Sequence, residues 1–152
     1  MRVGLISCCK EKLDHAAPAQ ELYCSSYFKL SKAWITKRVS EWGILSAEHG
    51  LVMPDQVIEP YDRALTDLSR LHKERWIDYV HEQLVKKWSE QAIWLVVAGA
   101  EYRSALKYMP SVEDVISYWT DQRKQNGMSG RKSMMGIGVI KKYLKEDRAY
   151  GC

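Results

Sequence analysis

Three short polar stretches of this 152-residue chain carry side chains able to do chemistry. The first, Ser7-Cys-Cys-Lys-Glu-Lys12, offers a hydroxyl, two thiols and two ammonium groups. Its amides and lysines can cradle a phosphate or stabilise an oxyanion. It lacks the glycine spacing of a Walker or dinucleotide loop, so neither fold is expected. Adjacent Cys8 and Cys9 do not form a Cys-x-x-Cys redox motif, and a nucleophilic Cys8 requires its lysines to depress the thiol pKa. The second stretch, Ser46-Ala-Glu-His-Gly-Leu51, brings Glu48 and His49, both proton-transfer groups, beside a glycine that allows a tight bend. Asp62 adds a carboxylate after the stiff Pro60-Tyr61 step. The third, Gly99-Ala-Glu-Tyr-Arg103, can turn a strand into a helix whose N-terminus attracts anions, with Tyr102 to stack and Arg103 to reach phosphate. Each stretch has a plainer reading: a solvent-facing turn, a loop histidine bonded to backbone, a strand-to-helix corner. No cluster has metal-ligand spacing, so no metal and no other cofactor is expected.

The elements that must position these groups follow from hydrophobic periodicity. Residues 2–7 and 42–46 are short β-rich runs, and residues 92–98 are almost continuously apolar, as a strand covered on both faces should be. Residues 26–40 have helical spacing, with Tyr27, Leu30, Trp34 and Ile35 on one face. Residues 67–89 are the longest helix candidate, capped by Thr66 or Asp67. Residues 8–23 and 47–62 read as loops, 101–108 as a helix ending before Pro110, 112–118 as a fourth strand, 117–132 as a loop and 134–145 as a last helix. Alternating strand and helix argue for one α/β domain over residues 1–152. Its expected form is a three-layer sandwich with a mostly parallel central sheet of about four strands. Ligands of such sheets gather beyond the carboxyl ends of the strands, where all three polar stretches fall.

Composition limits the function classes. At 46% hydrophobic and 28% charged residues the chain is expected to fold as an ordinary globule. No apolar run approaches a membrane span, and the first seven residues are too short for a signal-peptide core, so a cytoplasmic location is expected. Four cysteines in a chain of this size are not a disulfide framework. The net charge of +4 is uneven: residues 1–40 carry +4, residues 41–120 carry −5 and residues 121–152 carry +5. If the basic ends meet, they form a positive surface for phosphates; otherwise they are a solvated exterior. Arg123 to Lys132, flanked by Tyr118, Trp119 and Tyr143, has the mix of cations and aromatics that suits single-stranded nucleic acid.

The set Leu5-Ile-Ser-Cys-Cys-Lys-Glu-Lys12, Leu22-Tyr23, Ser26, Phe28, Leu45-Ser-Ala-Glu-His-Gly-Leu51 and Glu59-Pro-Tyr-Asp62 resembles an uncharacterised bacterial and phage domain family. Its members carry a Cys-x-Lys-x-Lys opening and a Leu-Ser-Ala-x-His-Gly-Leu loop. Val97 to Tyr102 and Gly136 to Gly138 resemble that family's later motifs. The layout is similar, more remotely, to the YaaA peroxide-stress proteins, with Cys8 and Cys9 where their opening has Pro and Ala, Lys10 kept, and His49 where their loop has Tyr. That likeness implies DNA association and protection from oxidative damage.

These readings combine into one expectation: an enzyme acting on a nucleotide or nucleic-acid base, at an N-glycosidic bond. Glu48, His49 and Asp62 are the expected catalytic residues, a carboxylate activating water or stabilising an oxocarbenium-like centre and His49 serving as acid/base partner. Ser7, Cys8, Lys10, Lys12, Tyr61, Gly99, Tyr102 and Arg103 are the expected substrate-binding residues. The expected partner is a nucleotide or single-stranded nucleic acid, with oligomeric state left open. The alternatives are a non-catalytic DNA-binding or DNA-protection protein, and a phage module that sequesters a host factor or nucleotide.

Overall fold

The computed structural model describes residues 1–114. In chain order the elements are β1 (Arg2–Ser7), β2 (Ala17–Pro18), α1 (Ala19–Leu22), α2 (Ser26–Thr36), β3 (Glu41–Ser46), β4 (Gly50–Val52), β5 (Val57–Ile58), α3 (Arg70–Trp88), β6 (Ile93–Val97), α4 (Ala100–Arg103) and β7 (Val112–Asp114). Five strands form one sheet in the order β4-β3-β1-β6-β7, and β2 pairs with β5 in a small separate ribbon. β1 runs parallel to both β3 and β6, and β6 parallel to β7. Within the five-stranded sheet only the edge strand β4 is antiparallel to its neighbour among the described residues, and the β2–β5 ribbon is antiparallel too. The mostly parallel α/β architecture is the one the alternation of elements implies.

Helices cover both faces because the crossovers into β3 and into β6 are helical and lie on opposite sides of the sheet. α2 links β1 to β3 and packs Phe28, Trp34 and Ile35 with Ile6, Ile44 and Leu95. α3 links β3 to β6 on the other face, where Trp76, Val80, Leu84 and Trp88 meet Val3, Leu5, Trp94 and Val96. Alternate β1 residues therefore face opposite helices, as a period-two strand buried on both sides requires. Gly4 marks a close approach of α2 to the sheet: a Cβ there would overlap the Ile35 side chain and come within 2.8 Å of Val39. Two indoles fasten α3 to β3. Trp76 Nε1 donates to the Ser46 carbonyl at 2.9 Å, and Trp88 Nε1 donates to the Glu41 carboxylate at 3.2 Å.

Several local expectations need correction. The sheet has five strands among the described residues because Gly50–Val52, read as loop, returns along β3. Gly50 adopts a left-handed φ of 71°, and the Leu51 amide donates to Gln83 Oε1 at 2.9 Å. α3 begins at Arg70, because the Ser69 hydroxyl accepts the His72 amide, while Leu65–Asp67 forms a separate 3-10 turn. α2 stops at Thr36, and the expected helix over 101–108 is a single turn, α4, continued by a 3-10 turn at Ser104–Leu106. The end of the fourth strand, the 117–132 loop with its basic stretch and the 134–145 helix lie outside the described residues. Among the described residues no helix is long and apolar enough to cross a membrane.

Candidate functional site

The sheet order reverses at β1: the chain crosses to β3 on one side and later to β6 on the other. Such a switch point opens a crevice beyond the strand ends. A cavity of about 740 Å³ occupies it. Its walls are the loop leaving β1 (Ser7, Cys8, Cys9, Lys10, Lys12), the start of α2 (Ser25, Tyr27), the segment Asp62 to Asp67, and Gly99 to Tyr102 after β6. That volume suits a small organic ligand of nucleotide size.

The chain builds each wall by local means. Ser25 caps α2, its hydroxyl accepting the Phe28 amide at 3.1 Å. The first turn of α2 holds no acidic side chain, so nothing on the helix offsets its dipole at the cavity. Gly99 leaves open space where a Cβ would stand. The loop after β1 is tied back by an antiparallel bridge between Lys12 and Tyr23. Lys12 Nζ lies 4.4 Å from the Tyr61 ring centroid and 5.7 Å from that of Tyr23, and donates to the Lys10 carbonyl at 3.2 Å. Aromatic faces thus hold this ammonium at the cavity with no carboxylate partner among the described residues.

Behind that wall runs a chain of hydroxyls. Ser46, fully buried, accepts the amides of Glu48 at 3.2 Å and His49 at 3.1 Å. With both lone pairs engaged, its proton is directed to the Tyr61 oxygen, 2.7 Å away. Tyr61 in turn donates to Tyr23 at 2.6 Å, leaving the Tyr23 O–H as the terminal donor. On the far side the Cys8 thiol donates to the Tyr102 hydroxyl at 3.3 Å, and the Tyr102 ring packs edge-on against Trp76. Burial, followed by the proximity of Cys8, pushes the phenols of Tyr23, Tyr61 and Tyr102 well above the ordinary tyrosine range. They stay protonated beside Cys8. The Tyr27 hydroxyl, also raised by burial, faces Ser7 and Ser31 without closing a hydrogen bond of ordinary geometry to either.

Of the residues expected from the sequence, the cavity gathers Ser7, Cys8, Lys10, Lys12, Asp62, Gly99 and Tyr102. Glu48, His49, Tyr61 and Arg103 do not line it. Glu48 forms an ion pair with the lining residue Arg63 at 3.2 Å. The His49 ring stands edge-on to Tyr61, 5.4 Å between centroids. Tyr61 supports Lys12 from behind, and Arg103 acts electrostatically on Tyr27. Asp62 is exposed, with no hydrogen-bond or ion-pair partner among the described residues. Sequence reasoning missed Ser25, Tyr27 and Arg63 as lining residues. A serine just before an apolar helical run was the available signal for Ser25. Among the described residues no His, Cys, Asp or Glu groups converge as a metal site.

The model of a family of unknown function, DUF6884, matches residues 3–131. The chain belongs to that family. The match spans every wall of the cavity, from the loop after β1 to Tyr102. No curated protein and no solved structure matches the chain.

Proposed function

We propose that the cavity binds a nucleotide, free or as a unit of single-stranded nucleic acid, and that the protein cleaves or exchanges its N-glycosidic bond. The observation that carries this reading is the division of charge across one crevice. Lys10, Lys12 and Arg63 supply cations; of the lining carboxylates Glu101 pairs with Lys73 and Asp67 accepts the Ala64 amide, which leaves Asp62 without a partner among the described residues. Phosphate binds the lysines, with Lys12 held in place by Tyr61 and Tyr23. Asp62 stabilises positive charge developing on the sugar, or activates the attacking water. Glu48 orients Arg63 through their ion pair, and His49 positions Tyr61, so both act one layer behind the substrate.

The test is base release from a panel of nucleosides, nucleoside monophosphates and single-stranded oligonucleotides, followed by chromatography. Release from phosphorylated members, reduced about 100-fold or more in Asp62→Asn with the fold intact, is the expected result. No release from any member refutes the enzymatic reading. Oligonucleotide binding that weakens steeply with salt, without release, would instead support the non-catalytic DNA-protecting role that likeness to YaaA proteins implies.

A further inference from the structure

We propose that Cys9 and Cys24 are a disulfide-forming pair that fastens the loop after β1 to the start of α2. The pairing rests on one carbonyl. Glu11 O accepts the Cys24 amide at 3.0 Å and the Cys9 thiol at 3.1 Å. The Cys9 sulfur therefore lies within two hydrogen-bond lengths of the Cys24 backbone. The proximity is built, because the bridge between Lys12 and Tyr23 and the Leu13 amide to Leu22 carbonyl bond at 2.9 Å hold the two segments antiparallel. Both thiols are free and partly exposed, whereas Cys8 is buried and engaged by Tyr102.

The position gives the bond a consequence. Cys9 lines the cavity, and Cys24 precedes Ser25, which caps α2 and lines it too. A disulfide adds a covalent tie between two walls that backbone hydrogen bonds and the Lys12–Tyr23 contact already hold. The chemistry is thiol–disulfide exchange with a small-molecule disulfide such as oxidised glutathione. The Cys9 thiolate attacks one sulfur, the small disulfide's S–S bond breaks and one small thiol leaves. The Cys24 thiolate then attacks the Cys9 sulfur of the mixed disulfide and expels the second small thiol. Two protein thiols are oxidised, one small disulfide is reduced, and the two protons leave on the released thiols.

The full chain is incubated with oxidised glutathione, its remaining thiols are alkylated, and a tryptic digest is mapped by mass spectrometry. The expected product is a crosslink between the peptide holding Cys8 and Cys9 and the peptide holding Cys24, reversed by dithiothreitol. Fragmentation between Cys8 and Cys9 places the bond on Cys9. Cys9→Ser abolishes the crosslink and Cys8→Ser keeps it. The oxidised chain unfolds roughly 5 °C or more above the reduced chain. A bond between Cys8 and Cys9, a bond to Cys8 or Cys152, or a glutathione adduct with no crosslink overturns the proposal. The map uses the unsubstituted protein, so it stands even where a variant misfolds. It is also independent of whether the cavity binds a nucleotide.

Discussion

Replacing Ser46 by alanine tests the buried hydroxyl chain directly. The fully buried Ser46 Oγ makes three hydrogen bonds, two received from the Glu48 and His49 amides and one shared with Tyr61. Each such bond contributes about 1 kcal/mol net, so Ser46→Ala should cost about 3 kcal/mol. Tyr61→Phe removes two bonds, those to Ser46 and Tyr23, and should cost about 2 kcal/mol. The Ser46–Tyr61 bond is common to both substitutions. The double variant should therefore fall short of additivity by about 1 kcal/mol. Urea unfolding of the four proteins, followed by tryptophan fluorescence, measures the cycle. A cost below about 0.5 kcal/mol for Ser46→Ala, or strict additivity, would refute the coupling of Ser46 to Tyr61 through their hydrogen bond.

Other consequences follow from the same geometry. Burial raises the phenols of Tyr23, Tyr27, Tyr61 and Tyr102 in the folded state, while the unfolded chain releases these protons near pH 10. Stability is thus fully present below about pH 10 and declines as pH rises past it; the part of the tyrosinate absorbance that is lost in Tyr23→Phe, Tyr61→Phe or Tyr102→Phe should grow only as the chain unfolds, and its earlier appearance would contradict the burial. Gly4→Ala should destabilise by about 2–3 kcal/mol, since Ile35 and Val39 occupy the space of the added methyl. Gly99→Ala, whose Cβ meets nothing and whose φ of −68° suits any residue, should stay within about 0.5 kcal/mol; thermal scans compare the two. Lys12→Gln should weaken ribose 5-phosphate binding about tenfold in calorimetry, with Lys12→Arg keeping part of the affinity; unchanged binding would remove Lys12 from the phosphate site.

The elements that bury whole faces were legible in the sequence. Ile93–Val97 announces itself by continuous apolar residues, and α3 by apolar residues at helical steps. What escaped is short or tertiary. β4 is three residues long and owes its place to the bend at Gly50 and the Gln83 side chain, which no period reveals. The strand-end rule correctly singled out the loops after β1 and β6 as cavity walls. It could not see that Ser46 Oγ gathers the amides of the next turn, setting the His49 ring against Tyr61 and away from the lining. Tyr27 was readable as a helix-face residue, yet it serves core and cavity at once because α2 starts at the crevice. The Glu11 carbonyl shared by the Cys9 thiol and the Cys24 amide depends on a bridge across a loop, so spacing alone could not disclose it.

The two indole bonds of α3 also set a common gauge for helix and strand. Trp76 and Trp88 are separated by twelve helical steps, about 18 Å of axis. Their partners Ser46 and Glu41 are separated by five strand steps, about 17 Å. The two spans match only because the helix and the strand hold those residue counts. One inserted or deleted residue between either pair would throw one fastening out of alignment while leaving the other in place. The end most sensitive to that error is Ser46, whose carbonyl takes the Trp76 bond and whose hydroxyl anchors Tyr61 beneath Lys12. Chain length along the back of the sheet is thereby transmitted to the position of a cation at its front.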